Sequence, residues 1–125
     1  MPRSIDVPGL AHNAPIPVGA RVANVLCSSA IAGKDPASGK LAAAPADQAR
    51  LAFENLKRFL DAGGATLADV VKLTVYVKDD SVREPLNEHW LALWPDPAQR
   101  PARHIVVHDL QHGMALQLEA LAVAQ

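Results

Sequence analysis

The stretch DVVKLTVYVKD, residues 69–79, decides the fold class of this chain. Apolar side chains occupy every second position in its centre: Val71, Leu73, Val75 and Val77. Lysine, threonine and tyrosine stand between them, so one face of the segment is apolar and the other is more polar. This alternation is typical of a half-buried β-strand. The sequence therefore predicts a strand here, and the hydrophobic period changes to a helical one on either side of it.

The segment that precedes this strand has the period of an amphipathic helix. Its apolar residues recur at i, i+3, i+4 and i+7 spacing: Ala49, Ala52, Phe53, Leu56, Phe59 and Leu60. Charged residues occupy the opposite side, as expected of a helix that packs one stripe against a sheet. Asp47 is the candidate N-cap, Pro45 is expected just outside the helix, and the Gly63-Gly64 pair is a strong stop signal.

The C-terminal part of the chain predicts a second helix and two more strands. SVREPLNEHWLALWP, residues 81–95, has an apolar stripe at helical spacing and ends at a proline: Leu86, Trp90, Leu93 and Trp94 form the stripe. ARHIVVHDL, residues 102–110, has the composition of a strand. The closing run MALQLEALAVAQ, residues 114–125, favours a helix by composition. It is short and follows a turn-like QHG, so we predict a strand instead.

The N-terminal part predicts strands and turns. Residues 1–19 contain four prolines and should be extended and looping, with a short strand at Arg3–Asp6. One or two strands are expected within Arg21–Ile31, and GKDPASGK, residues 33–40, predicts a loop or hairpin turn. The order of elements predicts one α+β or α/β domain over residues 1–125, with the helices on one face of a sheet. The other face would be bare in a monomer, so we expect copies of the chain to associate through it.

Composition narrows the classes of function. The chain has 125 residues, a net charge of −1, five aromatic residues and a single cysteine. Near-neutral charge argues against a surface built for nucleic acid or anionic lipid, and one cysteine allows no internal disulfide. We find no signal-peptide pattern and no run long enough to span a membrane, so we expect a soluble cytoplasmic protein.

Two charged residues in apolar surroundings are the candidates for chemistry. Glu119 interrupts the apolar closing run, where a buried carboxylate is costly unless it is paired, hydrogen-bonded or protonated. Arg103 begins the strand that continues to Ile105 and is suited to a two-pronged grip on a carboxylate. If the last two strands pair, the two side chains come close together. Spacing alone leaves a plain structural ion pair open as the alternative.

Other reactive side chains have no supporting pattern. His104, His108 and His112 are spaced by four, which would align metal ligands on a helix, but the segment predicts a strand and a loop. These histidines are better explained as a polar strand face. Cys27 lies in an apolar strand and is expected to act as a small buried hydrophobe.

Several stretches, in this order and at these separations, resemble the RidA/YjgF family, also called the endoribonuclease L-PSP family. They are VLCSSAIAGKDPASGKL, QARLAFENLKRFLDAGGATLADVVKLTVYVKD, LNEHWLAL, RPARHIVV and LQLEALAV. The resemblance implies a chorismate-mutase-like α+β domain with a mixed sheet, assembled as a homotrimer with sites between subunits. It also implies hydrolysis of reactive enamines and imines of the 2-aminoacrylate type to 2-oxoacids and ammonia, without a metal or organic cofactor.

The resemblance also implies roles for particular residues. Arg103 falls on the arginine that holds the substrate carboxylate, and Glu119 on the glutamate that positions water. Ser29 falls on a family serine and Asn87 on the asparagine of the second helix. Backbone N–H groups near Ala30 and Ile105 would help to hold the carboxylate.

Three positions depart from the family pattern. Ile16 occupies the place of a loop tyrosine, Ala30 that of a glycine, and Ile105 that of a cysteine. The substrate pocket is therefore expected to be altered. The pattern HDLQH is similar to that of ring-opening aminomuconate-type deaminases of the family, in which His108 or His112 would shape the pocket.

Three functions remain open at this point. The first is an enamine or imine deaminase, general or specific to one aminomuconate-type pathway. The second is a trimer of the same family that binds a small ligand or a partner without catalysis. The third is an RNA-cleaving protein, which near-neutral charge and few aromatic residues disfavour.

Overall fold

The computed structural model describes residues 1–125 and contains nine strands and two α-helices joined by turns and short 3₁₀ segments. The strands are β1 Arg3–Ile5, β2 Gly19–Val22, β3 Val25–Ser28, β4 Ile31–Ala32, β5 Lys34–Asp35, β6 Lys40–Leu41, β7 Val70–Val77, β8 Ala102–Val107 and β9 Leu116–Val123. The helices are α1 Pro45–Gly63 and α2 Arg83–Leu93. The predicted order of strands, helix, strand, helix and strands is confirmed.

Seven strands form one mixed sheet in the order β1-β2-β3-β9-β7-β8, with β4 also paired to β9. The β7–β8 pair is parallel, because α2 carries the chain back across the sheet between them, and the other pairs are antiparallel. β5 and β6 form a separate hairpin. The chain therefore has an α+β fold with two helices and a mixed sheet.

A β-bulge changes the start of β7 from the predicted alternation. The register with β9 shifts between Val70 and Lys72, so Val71 is left unpaired and 48% of it is exposed. Val71 was expected in the buried row with Leu73, and that prediction is wrong. The alternation holds from Leu73 onward, because each second residue from there to Val77 is at most 1% exposed.

Helix α1 begins earlier than predicted. Ala44 is the N-cap and Pro45 is the first helical residue, where the missing N–H of proline costs no hydrogen bond. Asp47 is therefore not the N-cap, but it lies in the first turn, where its charge complements the helix dipole. The predicted stop is confirmed: Gly64 adopts φ 82°, a left-handed conformation that glycine reaches without strain.

The closing run is a strand, as predicted, and its two faces meet different surroundings. Leu116, Leu118, Ala120 and Ala122 are buried against the helices. The residues between them face the opposite side, and among these Glu119 is exposed. The apolar run thus contains an acid because its other face lies outside the core, so the expected cost of burying that carboxylate does not arise within this chain.

The condition under which Arg103 and Glu119 would come close, pairing of the last two strands, is not met within the chain. β7 lies between β8 and β9, so these strands do not pair. A long antiparallel partner on one side and a parallel partner on the other make β7 a central strand of the sheet. Strand order depends on how the whole sheet packs. The distance along the sequence between Arg103 and Glu119 therefore does not predict whether their strands are neighbours.

Both helices cover one face of the sheet, over a core of 27 buried residues. The opposite side, called the outer face below, carries the alternate residues of the strands. Several apolar side chains are exposed on it, including Val22 (54%) and Val25 (39%). A face of this kind is the bare surface that the sequence predicted.

Neither helix combines the length and the apolar character needed to cross a membrane.

Candidate functional site

Arg103 lies on β8, the strand at the free edge of the sheet, on the side covered by the helices. Its Nη1 donates a hydrogen bond of 2.8 Å to Oδ1 of Asn87 on α2. Its guanidinium carbon lies 4.8 Å from the centroid of the Trp90 ring, one helical turn further along. The guanidinium is therefore held between an amide oxygen and the face of an indole, and both contacts fix its position.

The Arg103 cation has no anionic partner. The three ion pairs of the chain join Arg50 to Asp47, Arg50 to Glu54, and Arg83 to Asp80, all on the surface. Partial burial lowers the pKa of Arg103, and the nearby positive charge of Arg83 lowers it further. A partly desolvated cation without a counterion is an attractive place for an anion, and guanidinium geometry suits a carboxylate. A structural ion pair with Glu119 is not formed within the chain.

The free edge of β8 also offers backbone donors near this arginine. The N–H of His108 donates to the carbonyl of Val77 at 2.9 Å, toward β7. Because N–H groups alternate in direction along a strand, the N–H of Ile105 points away from β7 to the open edge. Ile105 is half-buried and its side chain packs against the core. The residues Arg103, Asn87, Trp90 and Ile105 are called the arginine group below.

A second set of predicted residues lies where β9 meets the joint between β3 and β4. β3 pairs with β9 as far as Leu121, and β4 resumes the pairing at Leu118. Glu119 therefore lies opposite the joint that contains Ser29 and Ala30. The Ser29 hydroxyl donates to the carbonyl of Pro17 at 3.0 Å, which ties the N-terminal loop to this joint.

Ile16, which the resemblance places at the position of the loop tyrosine, precedes this contact and is 49% exposed. A second bond supports the loop: the N–H of Ser29 donates to the carbonyl of Val18 at 2.8 Å. Glu119, Ser29, Ala30 and Ile16 are called the glutamate group below.

One chain does not bring the two groups together. Leu73 of β7 is in register with Arg103, and its neighbour Thr74 is in register with Glu119. Successive residues of a strand point to opposite faces, so Arg103 lies on the helix side and Glu119 on the outer face. β7 separates them as well. The predicted proximity of Arg103 and Glu119 is therefore absent within the chain.

A cavity of about 330 Å³ lies beside the glutamate group. Ala30 lines it, and so does Gln117, which precedes Glu119 by two residues on the same face of β9. His12 and His112 lie in its wall, together with Lys34. The cavity could hold a small organic molecule.

The histidines spaced by four do not converge. His104 is exposed on the outer face, His108 lies after β8 with its ring 6.3 Å from that of Tyr76, and His112 is in a turn. No three His, Cys, Asp or Glu side chains of the chain form a group that could hold a metal ion. Cys27 is exposed, so its predicted burial is wrong.

Sequence reasoning missed residues that support these groups. The apolar pattern of α2 assigns Trp90 only to the buried stripe, although its spacing of three from Asn87 places both residues on one helix face. Gln48 is 2% and Asn55 is 0% exposed, and both lie among the buried apolar residues of α1. A polar side chain within an apolar helical stripe was the available signal.

Comparison with known proteins identifies the family of this chain. The sequence model of the Endoribonuclease L-PSP family matches residues 13–124. The 2-iminobutanoate/2-iminopropanoate deaminase of Escherichia coli K12 is 35% identical over 119 residues, which cover 90% of this chain and 93% of that protein. This chain therefore belongs to the RidA/YjgF family of proteins.

Solved structures show the same fold. The crystal structure of RidA from the Antarctic bacterium Psychrobacter sp. PAMC 21119 has a TM-score of 0.88 and 31% identity, covering 97% of this chain and 98% of that one. Escherichia coli TdcF with bound serine has a TM-score of 0.89 and 26% identity, covering 98% and 99%. Relatives of this fold thus include a protein named as a deaminase and one that binds a small amino acid.

Proposed function

We propose that this protein hydrolyses 2-imino acids and their enamine tautomers to 2-oxoacids and ammonia. The observation that carries the proposal is the Arg103 guanidinium, which is fixed by Asn87 and Trp90 and has no carboxylate partner. A 2-imino acid supplies that partner through its own carboxylate. The deaminase name of the Escherichia coli relative supports the choice of this reaction.

The proposed chemistry assigns one task to each group. Arg103 and the N–H groups of Ile105 and Ala30 hold the substrate carboxylate, which directs the imine carbon toward Glu119. Glu119 orients a water and accepts its proton as the oxygen adds to that carbon, while the electron pair of the C=N bond moves to nitrogen. Glu119 returns that proton to the nitrogen, which gives a neutral carbinolamine. Glu119 then takes the proton of the carbinolamine hydroxyl as the C=O bond forms and passes it to the amino nitrogen as the C–N bond breaks, so that the nitrogen leaves as ammonia.

The site is proposed to form between copies of the chain. Arg103 lies at the free edge of the sheet and Glu119 on the outer face, so one copy cannot present both to one small substrate. The edge of one copy against the outer face of the next would bring them together. We propose a homotrimer of chorismate-mutase-like subunits, supported by the exposed apolar side chains of the outer face.

Substitution of Arg103 tests the proposal. Arg103→Ala should lose nearly all hydrolysis of 2-iminopropanoate generated in situ, measured as ammonia or pyruvate release, while circular dichroism and oligomer size stay unchanged. Arg50→Ala removes an exposed arginine of α1 and is the matched control, with full activity expected. Full activity in the Arg103 variant would reject the assignment.

A charge on the outer face tests the assembly. Leu121→Lys should abolish the trimer and the activity together, because it buries a charge at the proposed interface. Leu91→Lys, at a position on α2 that is 51% exposed, should alter neither. Light scattering of both variants measures the mass of the particle, and a trimer that survives Leu121→Lys would refute this interface.

A binding protein without catalysis is the second candidate. Ile16 and Ile105 replace a tyrosine and a cysteine that the family resemblance leads one to expect, so the pocket differs from that of the pattern. The arginine group would still bind a 2-oxoacid in that case. Tight binding of pyruvate without any acceleration of 2-iminopropanoate hydrolysis would favour this candidate over the deaminase.

A further inference from the structure

The cavity beside the glutamate group has walls that are held in place before any ligand arrives. Gln48 of α1 is buried, and its Nε2 donates to the carbonyls of Ala42 at 2.9 Å and Gly113 at 3.1 Å. Its Oε1 accepts a hydrogen bond of 2.7 Å from the N–H of Ala115. One side chain thus fixes the end of the β5–β6 hairpin and the turn before β9, which form two walls of the cavity.

A second buried amide fixes a third wall of the cavity, the segment that joins β4 to β5. Nδ2 of Asn55 donates to the carbonyls of Ala32 at 3.0 Å and Lys34 at 2.8 Å. Gly33, between them, lies so close to α1 that a Cβ there would be 2.3 Å from the carbonyl oxygen of Gln48. The segment therefore rests directly on the helix backbone. A cavity braced in this way is preorganised, which lowers the entropic cost of binding a ligand.

The lining of the cavity has one sign of charge. Lys34 is its one permanently charged residue, and no aspartate or glutamate lines it. The other polar lining residues are His12, Asn13, His112 and Gln117, all of which can donate hydrogen bonds. The remaining seven lining residues are apolar. Such a lining suits an organic molecule with an apolar chain and an anionic end.

The backbone conformation of the turn that carries His112 is a further indication that the cavity binds a ligand. His112 adopts φ 61°, a left-handed conformation that costs energy for a residue with a Cβ. The bonds from Gln48 to the neighbouring Gly113 and Ala115 hold this turn in place. Strain that the surrounding structure maintains is frequent where a side chain must face a ligand.

The position of the cavity connects it to the proposed reaction. Ala30 belongs to the glutamate group and also lines the cavity, and Gln117 lies two residues from Glu119 on the same strand face. A volume of about 330 Å³ is far more than the methyl group of 2-iminopropanoate would fill. We infer that the cavity receives the substrate side chain, and that this side chain ends in a second carboxylate that Lys34 binds.

This inference rests on the proposed function and names its substrate class, a 2-imino acid with a distal carboxylate. The test compares two substrates of equal length. An amino-acid oxidase generates the imine of 2-aminoadipate and the imine of its ω-amide, and ammonia release gives kcat/KM for each. The wild-type protein should prefer the dicarboxylate by about tenfold, as expected for one charge-assisted hydrogen bond.

Lysine variants assign the preference to the cavity. Lys34→Met removes the charge at similar length and should reduce the ratio of the two kcat/KM values to about one. Lys40→Met, at an exposed position of the same hairpin, should keep the ratio of the wild-type protein. A wild-type protein without preference, or a ratio that Lys34→Met leaves unchanged, would overturn the inference.

A binding measurement separates this inference from the proposed function. 2-Oxoadipate is stable, and calorimetry should give an affinity about tenfold weaker for Lys34→Met than for the wild-type protein. If no imine is hydrolysed but this Lys34-dependent binding persists, the deaminase proposal fails and the cavity assignment stands. If 2-iminopropanoate is hydrolysed but 2-oxoadipate binds no more weakly to Lys34→Met, the cavity assignment fails alone.

Discussion

Trp90 offers a sharp test of how the arginine group works, because a second tryptophan, directly after the end of the same helix, serves as its control. Trp90 is 8% exposed and faces the Arg103 guanidinium at 4.8 Å. Trp94 is 5% exposed, its ring lies 4.9 Å from that of Trp90, and its Nε1 donates to the carbonyl of Leu67. The two residues are similarly buried, but the cation lies over the ring of Trp90.

The expected magnitude follows from these contacts. Trp90→Leu and Trp94→Leu should each destabilise the fold by about 2 kcal/mol, since each removes a large buried side chain. The contact between a partly desolvated guanidinium and an indole is worth about 1 kcal/mol. Losing it lets the guanidinium of Arg103 move, so Trp90→Leu should weaken carboxylate binding by about fivefold. Trp94→Leu should leave that affinity unchanged.

Calorimetric titration with pyruvate measures the affinity, at a temperature where both variants are folded. Trp90→Phe, which keeps an aromatic face, should recover most of the loss. Equal weakening by Trp90→Leu and Trp94→Leu would show that general loss of packing, rather than the stacked cation, is responsible. Unchanged affinity in Trp90→Leu would refute the positioning role of the indole altogether.

Three further outcomes are expected from other parts of the molecule. Gln48→Leu leaves the Ala115 N–H and two carbonyls unpaired, so denaturant unfolding should show a loss of about 3 kcal/mol, whereas Gln99→Leu at an exposed position should cost almost nothing. The hydrogen bonds that Ser81 donates through its hydroxyl and its N–H lower the pKa of the Asp79 carboxyl. The ionised carboxylate therefore stabilises the fold at pH values above its pKa in the unfolded chain, and this stabilisation is lost as the pH falls through its lower pKa in the folded chain. Ser81→Ala should therefore raise that pKa in an NMR titration and reduce the stabilisation on the acid side. Glu119→Gln should abolish imine hydrolysis but keep pyruvate binding, and hydrolysis at the wild-type rate would remove this residue from the mechanism.

Local periodicity predicted the elements of this fold better than their arrangement. The alternation from Leu73 onward identified β7, because side-chain direction in a strand depends only on neighbouring residues. The bulge at Val71 was not predictable in the same way, since a bulge depends on the register of the partner strand β9. The prediction placed the start of α1 too late, because proline is compatible both with the first position of a helix and with a position just outside it. In the structure Pro45 is the first helical residue.

In the candidate site, too, the local elements were predictable from the sequence and their arrangement was not. The strand that carries Glu119 was predicted from the sequence and is confirmed as β9. The strand that pairs with β9 was not predictable, because strand order depends on the whole sheet. In the structure β7 lies between the strands that carry Arg103 and Glu119. The braces of the cavity, Gln48 and Asn55, had a signal in α1, but their acceptors lie in loops whose position the sequence does not state.

The separation of Arg103 and Glu119 has a physical consequence for the proposed enzyme. If the two charges met within one chain, they would form an ion pair, and the arginine would have its counterion before any substrate arrived. Placement on opposite faces of the sheet keeps the guanidinium unpaired and the carboxylate in water until two copies meet. A small anion and a water molecule can then occupy the space between them. On this view the subunit interface supplies the second half of each site, so dilution that dissociates the copies should remove the activity before it unfolds the chain.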